Sequence, residues 1–244
     1  MPVATRAEPG TAPRVPLSRD RVLRAAIKIA DDGGLRALTM RRLAEEVGAE
    51  AMSLYYHVAN KEDVLNGITE LVGTEINEVV DRIEPPATAA DWKTVVRRRI
   101  LAAREVFLRH RWAPAVFETR TTMSPAVLRY HDALVGLMRA GGFSYDTIHH
   151  ALHALGSRAI GFTQELFDPS GAAGAGAATA PEAFEKMAEQ LPNLVGMLTE
   201  VAHDDPDSTL GWCDDQTEFE FGLDLILDGL DRLRAAGGVR RAGG

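Results

Sequence analysis

The sequence predicts an all-α fold in which an N-terminal three-helix unit of helix-turn-helix geometry is joined by a long helix to a larger, all-helical domain. Three observations carry that expectation. Apolar residues recur at three- and four-residue spacing along most of the chain, the period of one helix face. No run of alternating β-branched residues and no internal repeat is present. Glycine pairs, prolines and small polar residues interrupt the apolar pattern at intervals suited to helices. With 244 residues, 45% of them hydrophobic and 25% charged, the chain is long enough and apolar enough to bury a substantial core.

Residues 1–17, rich in Pro, Ala and Thr, predict a disordered arm. Ser18 is a good N-cap, and Val22, Leu23, Ala26, Ile27 and Ala30 share one face of the helix that follows, until Gly33 and Gly34 end it. Thr39 caps a second helix, with Leu43, Ala44 and Val47 turned inward and Arg42 standing where a capping box would place Glu. Gly48 stops it. A third, short helix runs over about 51–57, and Asn60 caps a fourth, which Val64, Leu65, Ile68, Leu71, Val72, Ile76 and Val79 carry toward Pro85 and Pro86. Further on, residues 170–181 are too glycine-rich to hold a helix and too poor in large side chains to pack, which predicts a flexible loop. Residues 203–211 form a turn cluster. The expected division is an arm over 1–17, a helix-turn-helix unit over 18–65 and an all-helical domain over 66–244.

The net charge of −8 argues at first against nucleic acid as a partner, but its distribution matters more. Basic and acidic residues balance over 18–65, while the remainder of the chain is acidic. An acidic body repels phosphate and leaves DNA one attractive face, near the N-terminal end. No apolar run is long enough for a membrane span, the first residues lack the apolar core of a secretory signal, and the single cysteine, Cys213, fits a reducing compartment. A cytoplasmic protein is expected.

The third helix decides whether the two short helices around Gly48 read DNA. It surrounds Leu54 with Met52, Ser53, Tyr55, Tyr56 and His57, and a helix serving only the core needs no such cluster of polar aromatics. Hydroxyl and imidazole groups there suit phosphates, and Ala51 and Met52 suit thymine methyls. The alternative for Tyr55 and Tyr56 is packing between helices. Arg24, Arg36 and Arg42 read equally well as solvated charges.

Residues 38–65, LTMRRLAEEVGAEAMSLYYHVANKEDVL, resemble the DNA-binding signature of the tetracycline-repressor family: an LT-x-R-x-LA-x-x-x-G core followed by L-Y-x-H-x-x-x-K. The resemblance covers residues 18 to about 71. It implies a base contact from Arg41, base or phosphate contacts from Met52, Ser53, Tyr55, Tyr56 and His57, and phosphate contacts from Thr39 and Lys61 at the starts of their helices, where backbone N–H groups also favour anions. Ala51 and Met52 depart from the polar pair of the best-known member, so the resemblance does not carry that member's operator over to this chain.

The segment from Asp91 onward resembles the family's C-terminal domain more loosely, through FEFGLDLILDGLDRL near the end. Phe219, Leu223, Ile226, Leu227, Leu230 and Leu233 form a wide apolar stripe there. The resemblance implies that the helix over 214–234 pairs with one over 144–167 in a four-helix dimer interface; the alternative is that the stripe packs within one chain. The upstream helix places His149 and His153 four residues apart, on the side shared by Gly156, Ile160 and Gln164. Two histidines are short of a metal site, and no Cys pair, H-E-x-x-H sequence or cofactor motif accompanies them. In the tetracycline-binding members two histidines contact the drug and its magnesium; Phe117 and Asn77 stand in their places here, although Glu165 matches an acidic position. Magnesium-tetracycline is therefore not the expected effector. A pocket of Phe117, Met123, Leu128, Leu152, Ile160 and Phe162, with Arg120, His149, His153 and Gln164 as polar points, suits a mid-sized, mostly apolar small molecule.

Together these readings predict a ligand-responsive transcriptional regulator, a repressor binding a palindromic double-stranded operator as a homodimer, with recognition helices about one DNA turn apart, ~34–36 Å. The rivals are a metal-responsive repressor using His149 and His153, an effector-free DNA-binding protein, and an enzyme using those histidines with Glu165, for which no nucleophile is apparent.

Overall fold

Ser18 starts the first helix as expected: its hydroxyl accepts a hydrogen bond from the Arg21 amide at 3.2 Å. The computed structural model describes residues 16–121, 123–161, 189–201 and 215–237. Most of the arm over 1–17, and the stretches 170–181 and 203–211, lie outside them.

Helix α1 (Arg19–Ala37) is interrupted at Gly34, whose φ of 70° and ψ of 174° lie outside helical space. The break turns the chain into α2 (Met40–Val47), where Thr39 accepts from the Arg42 amide and Gly48, at φ 65°, closes the C-terminus in the left-handed conformation. Helix α3 (Ala51–Leu54) is shorter than the expected span to residue 57. After Leu54 the chain tightens, the amides of His57 and Val58 both donating to the Leu54 carbonyl, so residues 55–57 form turns. Asn60 caps α4 (Lys61–Val80) by accepting from the Asp63 amide. That helix ends before the prolines expected to stop it. The amides of Arg82 and Ile83 bond back to the Val79 and Val80 carbonyls, and the Arg99 guanidinium donates to Val80 O at 3.1 Å, satisfying the helix end.

The C-terminal part is built from α5 (Trp92–Arg109), α6 (Ala113–Thr119), α7 (Pro125–Ala140), α8 (Tyr145–Gly161), α9 (Pro192–Val201) and α10 (Asp215–Ala235). No strand occurs among the described residues. The part of the expected 144–167 helix beyond Gly161 lies outside them.

Two cores divide the interior. The first joins the small helices to the body, gathering Val22, Leu43, Leu54 and Ile68 with Val106, Phe107, Trp112 and Val116. The second packs Trp92, Ile100, Met138, Phe143, Ile148 and Leu155 against Phe219, Leu223 and Leu227 of α10. Outside it, Lys93 pairs with Asp228 and Arg97 with Glu220 and Asp224, an ion-pair ladder along α5 and α10. The expected boundary at residues 65–66 thus falls inside α4, which contributes Val64, Ile68, Val72, Ile76 and Val80 to the first core along its whole length.

A polar knot ties the small helices to the body. His110, at the end of α5, places Nδ1 2.8 Å from an Asp31 carboxylate oxygen on α1 and Nε2 3.1 Å from Glu75 on α4. Trp112 donates its indole N–H to the same Asp31 oxygen at 2.6 Å, and Arg109 donates to Glu75. Partial burial pushes the Glu75 carboxyl up, but the bonds from Arg109 and His110 outweigh it and leave the group below its usual range.

Candidate nucleic-acid interface and effector cavity

One end of the molecule is polar and exposed. Thr39 and Lys61 begin α2 and α4 there, although the Thr39 hydroxyl is already engaged in capping. Arg41 is 90% exposed and rests on Glu45 four residues ahead, at 3.1 Å. Ala51 and Met52 are exposed on α3, Ser53 and His57 are half-buried, and Leu54 is fully buried. Tyr56 is 88% exposed and Tyr55 48%, so packing between helices does not describe Tyr56. Arg24 pairs with the exposed Asp20, and Arg42, itself exposed, with the half-buried Glu46.

Behind the exposed turn lies a brace that the sequence reading did not anticipate. Arg19 grips Asp63 through both terminal guanidinium nitrogens, at 2.6 and 2.9 Å, and donates to the His57 carbonyl at 2.9 Å. Asp63 also accepts from the Ala59 amide at 2.9 Å. The Arg19 hydrogen bond is the largest influence on the carboxyl and, against the partial burial that opposes it, brings it down to about 2.

At the other end of α4, a cavity of about 90 Å³ opens among α4, α5, α6, α7 and α8. Its walls are mostly apolar or aromatic: Gly73, Ile76, Ile100, Phe107, Phe117, Val127 and Ile160. Phe107 and Phe117 meet edge to face at 5.5 Å. The polar lining comes from Arg104, Tyr130 and His131, none of which the sequence reading selected. Burial pushes the Tyr130 hydroxyl up to about 12, so it stays a donor. His131 Nδ1 lies 2.8 Å from the Val127 carbonyl; a carbonyl only accepts, so Nδ1 carries a hydrogen and Nε2 is left for another partner. The signal for these residues was faint, because in LRYHDAL the polar pair reads as an ordinary solvated helix face.

Of the residues expected to line a pocket, Phe117 and Ile160 do line the cavity. Phe162 and Gln164, with Glu165, lie outside the described residues. Leu152 packs against the second core, and Leu128 is exposed. Arg120 and Met123 line a different crevice, of about 430 Å³, beside Arg19, Leu23, Gly67 and Leu71, where Arg120 pairs with Glu62 at 2.6 Å. His149 and His153 are exposed, their rings 4.7 Å apart. The reason is position along the helix: the histidines share a side with Gly156 and Ile160, but of α8 only Gly156, Ala159 and Ile160, nearer its C-terminal end, reach the cavity, and the residues it buries are Thr147, Ile148, Ala151 and Leu155. Asn77 is buried and donates to the Ala126 carbonyl, a packing role. No cluster of three or more metal-ligating side chains occurs among the described residues.

The apolar stripe expected on the last helix turns inward. Phe219, Leu223, Leu227 and Leu230 are buried in the second core, and Gly222 lies against Arg158. A second row of α10 is exposed instead, with Phe221 63% and Leu225 55% accessible, and Leu233, at the end of the expected stripe, is exposed as well.

Comparison with known proteins gives a consistent picture. Residues 22–68 match the family model described as bacterial regulatory proteins, tetR family, and residues 84–234 match the tetracyclin repressor-like C-terminal domain. The chain is 31% identical over 145 residues to an HTH-type transcriptional regulator of Saccharopolyspora erythraea, a match spanning 59% of each protein. It is 29% identical to the HTH-type transcriptional repressor DrrR1 of Streptomyces coeruleorubidus, over 93% of this chain and 82% of that one. Among solved structures, ActR of Streptomyces coelicolor in complex with actinorhodin superposes with a TM-score of 0.65 at 26% identity, covering 93% of this chain and all of that one.

Proposed function

This chain belongs to the tetR family of bacterial regulatory proteins, and from that premise we propose that it is a dimeric repressor whose α2–α3 face reads a palindromic operator and whose cavity takes the effector that releases it. The observation that carries the reading is the course of α4. It starts at Lys61 beneath the exposed face and lines the cavity at Gly73 and Ile76, so one rigid element touches both. Arg41, Met52, Ser53, Tyr55, Tyr56 and His57 face DNA, with Thr39, Ala51 and Lys61 at the helix starts; the exposed row of Phe221, Leu225 and Leu233 on α10 meets a second copy.

The cavity's size supports a release mechanism. At about 90 Å³ it is smaller than the ~150 Å³ void that admits benzene in an engineered core. A mid-sized organic effector therefore enters only when the walls part, and binds the parted state in preference to the closed one. Such differential affinity is what a conformational shift requires. ActR, a related fold, accommodates actinorhodin, which supports an organic ligand here. Phe107 and Phe117 supply flat apolar contact, with Tyr130 and His131 the polar groups that orient it.

Selection of bound sequences from a random duplex pool tests the reading. The expected result is a palindrome, relaxed at one symmetric pair of positions by Arg41→Ala, since a bidentate arginine contact is worth about 1–3 kcal/mol of discrimination. No enrichment by folded, dimeric protein at low salt would overturn it.

A further inference from the structure

The turn at residues 55–57 is held from behind by a single ion pair. Neither α3, of four residues, nor the turns after it form a stable element by themselves; Leu54 and Val58 anchor the ends of the segment in the first core. Between those anchors the Tyr55–His57 backbone has few restraints besides its own turn bonds and the Arg19 guanidinium on the His57 carbonyl. Arg19 is in turn oriented by Asp63, which also fixes the Ala59 amide, while Asn60 caps Asp63's own amide. The His57 carbonyl and the Ala59 amide thus both converge on one guanidinium–carboxylate pair, and Asn60 holds the backbone of the same Asp63.

We propose that Arg19 and Asp63 are positioning residues for DNA recognition: the pair sets the angle at which Tyr55, Tyr56 and His57 meet the duplex. The inference rests on the reading of that face as the operator-binding surface. It assigns a role to a carboxylate that electrostatics alone would make a hindrance, because a negative charge beside DNA repels phosphate. It also separates recognition from folding. The pair is half exposed, with Arg19 46% and Asp63 30% accessible, and such pairs contribute little to global stability.

The test uses the full-length chain and the palindromic duplex that the wild-type protein enriches from a random pool. Affinity is measured against salt concentration for Asp63→Asn, Arg19→Gln and the double variant, with a thermal melt of each. Positioning predicts that Asp63→Asn weakens binding by about tenfold although it removes a repelling charge, and that the double variant is no weaker than the weaker single one. It also predicts an unchanged slope of log affinity on log salt for Arg19→Gln, and melting temperatures within a few degrees of wild type. Arg19→Lys, which keeps the charge without the two-nitrogen grip, is expected to fall between wild type and Arg19→Gln.

Equal or tighter binding by Asp63→Asn overturns the proposal. So does a salt slope reduced by about one in Arg19→Gln with Asp63→Asn at wild-type affinity, which would make Arg19 a plain phosphate contact. Wild-type protein that enriches no duplex would overturn the underlying surface assignment as well, a result distinguishable from the others before any variant is made.

Discussion

At the scale of single residues, the DNA-facing end shows how an exposed charge is kept ready without being locked. Arg41 leans on Glu45 across one helical turn, a contact worth only about 0.3–0.5 kcal/mol, so a guanine edge displaces it at little cost. Asp63 behaves differently. Its carboxyl lies near 2 in the folded chain against 3.8 for the ordinary group, so the folded state holds fewer protons between those values. The stabilisation is complete above about pH 4 and is lost as pH falls through 2. Acid unfolding of wild type and Asp63→Asn checks this: stability should fall more steeply in the wild type between those pH values, with a small difference because the pair is partly solvent-screened. The motif around Arg41 and Tyr55 was legible in the sequence because its residue types are unusual for a core. The Arg19 brace was not, since its partners lie 38 and 44 residues apart and no local pattern marks such a pair.

At the scale of elements, helix starts were legible and helix ends less so. Ser18, Thr39 and Asn60 each cap the helix that follows them, because an N-cap acts within three residues of itself. The end of α4 depends on Arg99, nineteen residues beyond Val80, and tertiary satisfaction of a helix terminus leaves no local trace. Periodicity leaves the facing open where a helix has two apolar rows, as on α10, since it gives a stripe without saying which neighbour covers it. The junction of α7 with α5 offers a sharp packing test. A Cβ built on Gly141 would lie 2.8 Å from Trp92 Cβ, beside an indole that is fully buried and edge-to-face with Phe143 at 4.5 Å. Gly141→Ala is expected to destabilise by about 1–3 kcal/mol, as overpacking does, and chemical denaturation with an unchanged m-value would verify it.

At the scale of the whole molecule, the fold class was readable because nearly every segment obeys one periodicity, while the cavity was not, because it is assembled from five helices. Phe117 and Ile160 were reachable from the sequence; Tyr130 and His131 required knowing that α7 crosses α4, where Gly73 approaches Ala126 so closely that an added Cβ would lie 3.0 Å away. The two ends of the molecule should be separable by substitution. Ala159→Phe, which fills the cavity from α8, is expected to leave operator affinity near wild type and to abolish release by any organic effector, read out by fluorescence anisotropy of a labelled duplex. Retained release would place the effector elsewhere.

The knot of Asp31, Glu75 and His110 gives α4 the geometry of a lever with a fixed pivot. From Glu75 to Lys61 is fourteen residues, or roughly 21 Å of helix at 1.5 Å per residue. A swing of about 10° around that pivot carries the Lys61 end some ~4 Å sideways. In a two-fold dimer both arms swing, so the reading heads change their separation by up to roughly 7 Å against a groove repeat of about 34 Å. Small angular play at one pinned point is therefore enough to take two heads out of phase with the duplex, with neither head having to change its own shape.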